Sequence, residues 1–186
     1  MVPVEQLWLP IVLSAVGVFV MSSLIHMVFK WHNSEYHGFS NEEDVRRVVR
    51  AANAAPGQYI LPYCPDHGDL KKPEVQQKFI DGPVAFMNVM KPGAPNMGPM
   101  LGQWFVLNLV VAILVGYLAC KTLPAGLSFL AVAREVSIVT FLAYAGGSIS
   151  NAIWMGKPKS AAAKECLDAF LYGLVTAIAF GMLWPR

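Results

Sequence analysis

Charge is scarce in this chain of 186 residues: Asp, Glu, Lys and Arg together make up 14% of it, and 14 basic against 12 acidic residues leave a net charge of +2. No basic run exceeds two residues, so the electrostatic footprint of a nucleic-acid binder is missing and nucleic acid is excluded as a partner. Cysteine is scarce too. Cys64, Cys120 and Cys166 are scattered without a CxxC pair, and an odd number cannot all pair within one chain, so free thiols are expected. Walker A, GxGxxG, HExxH and GxSxG spacings are all absent, which removes the phosphate-loop, dinucleotide-fold, zincin and serine-hydrolase chemistries that they serve. No positive stretch precedes the first apolar run, and that run is longer than the core of a signal peptide, so it reads as an uncleaved anchor; neither end carries a lipidation box.

What the chain has instead is apolar mass gathered into runs. Hydrophobic residues make up 55% of the sequence and the mean hydropathy is +0.47, too apolar for an ordinary soluble domain. Four runs, 7–29, 101–120, 127–155 and 161–184, are long enough to cross a hydrocarbon core of about 30 Å at about 1.5 Å per helical residue. All 5 tryptophans, Trp8, Trp31, Trp104, Trp154 and Trp184, fall at the ends of these runs, where amphipathic rings collect at the headgroup level. The expected fold is an all-α membrane protein, a single membrane domain of four transmembrane helices, with a small α/β extramembrane cap inserted between helices 1 and 2 over residues 30–100. In the cap, Ser40-Asn41-Glu42-Glu43 reads as a capping box opening a helix, Gln58–Leu61 and Val84–Met90 as strands, and Pro73–Ile80 as a second short helix. Lys157, Lys159 and Lys164 in a short loop, with the Lys and Arg of residues 30–100, place that side in the cytoplasm and both termini outside by the positive-inside rule.

The last run carries most of the information. Ser160 is placed to cap it. Ala169, Gly173, Ala177 and Gly181 recur every fourth residue, a smooth face that lets a neighbouring helix approach closely in lipid. Asp168 lies inside the same run, where a carboxylate is costly and must turn into the bundle. Helix direction in a four-span topology sets His26, Gln103 and Asn151 near the same depth as Asp168, so these four are expected to form an intramembrane polar cluster: a proton relay, a polar-ligand or cation site, or interhelical hydrogen bonding that fixes packing. On the opposite side Arg134 and Glu135, adjacent and therefore pointing apart on a helix, each need a partner. Cys64 and His67 lie three residues apart in a turn, and with His32 and His37 they make a second set of potential metal or haem ligands; the leading expectation is no cofactor.

Ser22-Ser23-Leu24-Ile25-His26-Met27, Ala55-Pro56-Gly57-Gln58-Tyr59 and the stretch from Asp168-Ala169-Phe170-Leu171-Tyr172-Gly173 to Leu183-Trp184-Pro185 resemble small uncharacterised bacterial four-helix inner-membrane proteins. The resemblance implies a bacterial cytoplasmic membrane and carries no catalytic residue over. The leading expectation is a non-enzymatic accessory or scaffold subunit that meets lipid and either other membrane subunits or its own copies. The rivals are a small-solute or ion transport component using the polar cluster, and a metal- or haem-binding redox protein using the cap.

Overall fold

The computed structural model describes residues 2–186. In chain order the elements are α1 (Trp8–Ser23), α2 (Glu42–Ala51), β1 (Gly57–Leu61), α3 (Pro73–Asp81), β2 (Ala85–Val89), α4 (Met97–Thr122), α5 (Phe129–Trp154) and α6 (Lys159–Met182). A tight turn, Val4–Leu7, leads into α1, and a π-helical turn, Leu24–Phe29, continues it, so one helical rod runs from Val4 to Phe29. That rod, α4, α5 and α6 are each long and apolar enough to cross a membrane. The chain is therefore a helical multi-pass bundle with a small two-stranded sheet between its first and second spans.

The chain divides into two compact units, one made of residues up to Tyr36 together with Asn96–Arg186, the other of His37–Pro95. The division keeps residues 31–36 and 96–100 with the bundle, inside the stretch expected to be cap.

In the bundle, α5 and α6 lie closest, and the small residues explain it. A Cβ on Gly173 would sit 3.0 Å from the Ser137 carbonyl oxygen of α5, and one on Gly181 would sit 2.6 Å from the Phe129 ring. Ala169 and Ala177 of the same stripe are buried. Hydrophobic driving force is absent between helices in lipid, so this close backbone approach, with the dispersion contacts it permits, is what holds the pair together. On the other flank of α6, Gly17 of α1 meets Val175, while Ile11 of α1 fills the space over Gly116 of α4. Phe180 sits fully buried among Leu7, Ile11, Val115, Val132 and Val136. Outward-facing Val20, Leu114, Leu142, Phe170 and Ile178 are exposed, as a bundle surrounded by hydrocarbon requires.

The far end of α6 is fastened by its own terminus. Trp184 is buried, its indole N–H donates to the Pro124 carbonyl at 3.0 Å, and the Gly126 amide donates to the Pro185 carbonyl at 2.9 Å. Gly126 has φ +77, a conformation in which a Cβ would be strained, so glycine suits this turn between α4 and α5.

In the second unit β1 and β2 pair antiparallel, from Gly57 opposite Val89 to Leu61 opposite Ala85. α2 is laced on its surface by Glu43 with Arg46 and Arg50 and by Asp44 with Arg47. The expected capping box does not form: Asn41 takes the cap position without a side-chain bond, and Glu43 reaches forward to the arginines instead of back to Ser40. None of the residues 37–95 is buried.

A candidate His-His-Asp site at the bundle end

Two local features turn the chain back on itself where α1 ends. The Ser22 and Ser23 hydroxyls both donate to the Phe19 carbonyl, a back-bonding that perturbs the helical ladder. The next turn widens: the Lys30 amide donates to the Ile25 carbonyl five residues back, at 2.8 Å. Lys30 itself stands in the left-handed region, φ 54 and ψ 26, which costs a non-glycine residue about 1–2 kcal/mol. The reversal lays a short 3-10 helix, Trp31–Glu35, against the first turns of α6.

The contacts it makes repay that strain. The Trp31 indole N–H donates to Asp168 Oδ1 at 3.1 Å, and His32 Nε2 lies 2.7 Å from Asp168 Oδ2. Lys164, one turn earlier on α6, donates to the Trp31 carbonyl at 2.9 Å and the Ser34 hydroxyl at 2.7 Å and pairs with Glu35; Ser160, a further turn back, donates to Glu35 at 2.8 Å. Lys164 first, then Ser160, holds the Glu35 carboxyl below its ordinary range, because each donates a hydrogen bond to its charged form. Asp168 is 5% exposed. Two bonds to one buried carboxylate are worth about 1.5–3 kcal/mol each, comfortably more than the turn costs.

His26, on the π-helical turn, completes the group. Its Nδ1 lies 2.9 Å from the Ser22 carbonyl, and its ring stacks on that of His32, centroids 4.9 Å apart and planes 9° from parallel. Ser22 is itself pinned by the Trp104 indole N–H at 2.8 Å. Deeper in the bundle Trp104, Tyr144 and Tyr172 form an edge-to-face aromatic cluster, and the Tyr144 hydroxyl donates to Asn108 Oδ1 at 2.9 Å. Asn108 Nδ2 is buried and finds no partner among the described residues.

No family model, no curated protein and no solved structure matches this chain. Its chemistry is therefore read from the residues themselves.

The structure divides the expected polar cluster. His26 and Asp168 come together; Gln103 and Asn151 are exposed on α4 and α5 and do not join them. Which face of a helix turns inward is set by packing that no single helix encodes. His32, assigned in sequence to the cap's ligand set with Cys64, His67 and His37, belongs instead to Asp168, because the turn at Lys30 folds it onto α6. The Cys64 thiol donates to the Asp66 carbonyl, and among the described residues Cys64, His67 and His37 form no three-residue ligand group. All three cysteines are free. Ser160 does not cap α6: the helix starts at Lys159 after Pro158, and the hydroxyl serves Glu35. On the opposite side Glu135 accepts from Thr122, while Arg134 is exposed.

Glu35 was not singled out in sequence, and Trp31 and Lys164 entered there only as an interface aromatic and an orienting charge. The available signal was Ser160, Lys164 and Asp168 at four-residue spacing, a polar stripe on one face of an otherwise apolar helix that needed a polar segment to cover it.

Proposed function

We propose that this protein is a non-enzymatic accessory or scaffold subunit of a bacterial inner-membrane complex, with the termini outside and residues 37–95 on the cytoplasmic side, where they dock another protein subunit. The observation that carries this reading is that no residue of 37–95 is buried, although the segment forms two helices and a paired sheet. Tyr59, Ile60, Leu61, Phe86 and Met87 of the sheet are all exposed. A unit this small without an interior lacks the burial that stabilises an independent domain, and a partner surface laid over the sheet supplies it. The orientation rests on the distribution of Lys and Arg. Transport is less well supported: both oxygens of Asp168 are occupied by the chain's own donors, and Gln103 and Asn151 lie outside the group.

The test places a photo-crosslinking residue at Phe86 in the protein in its host membrane, followed by extraction in mild detergent and native mass spectrometry. The expected result is one reproducible heterologous adduct, and an Ile60→Glu substitution that dissociates that complex while the bundle melts as before. A solitary monomer, adducts to lipid alone, or adducts only between copies of this chain would refute the reading.

A further inference from the structure

We propose that His26, His32 and Asp168 form a binding site for one divalent transition-metal cation of the zinc and iron(II) class. One nitrogen of each imidazole and one oxygen of the carboxylate all lie within 4.8 Å of one another. Ligand atoms bound at about 2.0–2.1 Å in a tetrahedral site lie about 3.4 Å apart, so movements of about 1.5 Å or less close the set.

The surrounding hydrogen bonds set which atoms can turn to a cation. A backbone carbonyl only accepts, so His26 Nδ1, 2.9 Å from the Ser22 carbonyl, carries the ring proton, and Nε2 keeps its lone pair. Asp168 Oδ1 is held by the Trp31 N–H, so Oδ2, which faces His32 Nε2 at 2.7 Å, is the oxygen that would turn to a cation. Metal-binding histidines and carboxylates are characteristically oriented in this way, one atom on the cation and the other on a fixed partner. Between His32 Nε2 and Asp168 Oδ2 the cation takes the place of the bridging proton, which moves to Nδ1 so that the imidazole stays neutral. The two rings are stacked nearly parallel, so the exposed His26 ring must tilt toward Asp168 for its lone pair to reach a shared cation.

Charge favours a cation here. Asp168 is almost fully buried, and Lys164, the cation nearest to it along α6, is committed to Glu35. A carboxylate in so poorly solvated a setting is costly, and a bound cation offsets that cost. Two imidazole nitrogens and one carboxylate oxygen suit Zn²⁺, Co²⁺ or Fe²⁺, whereas Ca²⁺ and Mg²⁺ prefer all-oxygen sites. Three protein ligands leave at least one position for water.

The experiment is titration of the full-length protein, purified in detergent without a polyhistidine tag and stripped with chelator, with Co²⁺ alone, read by visible d–d absorption and by equilibrium dialysis with elemental analysis. One Co²⁺ per chain is expected. His26→Gln, an exposed substitution that leaves the Trp31–Asp168 contact in place, should weaken binding by about 100-fold or more, and Trp31→Phe by about 10-fold, the loss typical of an orienting partner. The double variant Cys64→Ser, His67→Gln should bind as the parent does. Absence of stoichiometric Co²⁺ in the parent, equal binding in the folded His26→Gln variant, or loss of binding in the Cys64/His67 variant would each overturn the proposal.

Discussion

Adding one methyl group to α6 tests whether its close approach to α5 holds the bundle together. Alanine in place of glycine in a helix gains about 0.8–1.0 kcal/mol in propensity. Gly146 of α5 shows that gain undisturbed, because a Cβ there meets nothing within 4 Å. At Gly173 the same Cβ would lie 3.0 Å from the Ser137 carbonyl oxygen, with the Ser137 Cα and carbonyl carbon at 3.7 Å. Carbon-to-oxygen contacts across helices settle at about 3.3–3.6 Å, so the two backbones must part by about 0.3–0.6 Å. The obstacle is helix backbone, which cannot rotate away like a side chain, and overpacking of this kind costs about 1–3 kcal/mol. Gly173→Ala should therefore be neutral to about 2 kcal/mol less stable than the parent, Gly146→Ala up to about 1 kcal/mol more stable, and Gly173→Val less stable than Gly173→Ala. Reversible unfolding in mixed micelles, followed by tryptophan fluorescence, measures all three. If Gly173→Ala gained as much as Gly146→Ala, or Gly173→Val were tolerated, the α5–α6 seam would not be the tight contact described.

Three further outcomes follow from particular contacts. Because Lys164 and Ser160 lower the folded-state pKa of Glu35 below its ordinary 4.5, the stabilisation is fully present above pH 4.5 and is lost as pH falls through the lowered value; melting midpoints should drop with acid, and Glu35→Gln should remove that component of the pH dependence. Tyr144→Phe deprives Asn108 Oδ1 of its donor and should cost about 0.6–1.7 kcal/mol in the micelle assay, while Asn108→Leu with Tyr144→Phe, which also removes the unpartnered Nδ2, should return to the parental value or above it. Trp184→Phe keeps an aromatic ring but loses the bond to Pro124 and some buried volume, and should cost about 0.5–1.5 kcal/mol or somewhat more, against about 3–5 kcal/mol for Trp184→Ala.

The four spans were legible in sequence because crossing a hydrocarbon core imposes a length and an apolarity that each segment must meet alone. The strands and short helices of 37–95 were legible too, to within a residue or two, from proline, glycine and alternation. The stripe Ala169, Gly173, Ala177 and Gly181 announced a close packing face, since small residues at four-residue spacing share one side of a helix whatever lies opposite; that α5 lies against Gly173 and Gly181 came only from the fold. Asp168 was marked as inward-facing by its cost in lipid, yet two of its three expected partners do not join it. Gln103 and Asn151 are exposed, and His32, distant in sequence and grouped with another motif, reaches it through a π turn and a left-handed Lys30 that no periodicity foretells. Depth and face follow from local spacing, which the sequence states directly. Which faces meet, and which side chains share a carboxylate, depends on the rotation of four helices and the path of one turn, and these are settled only when all the contacts form together.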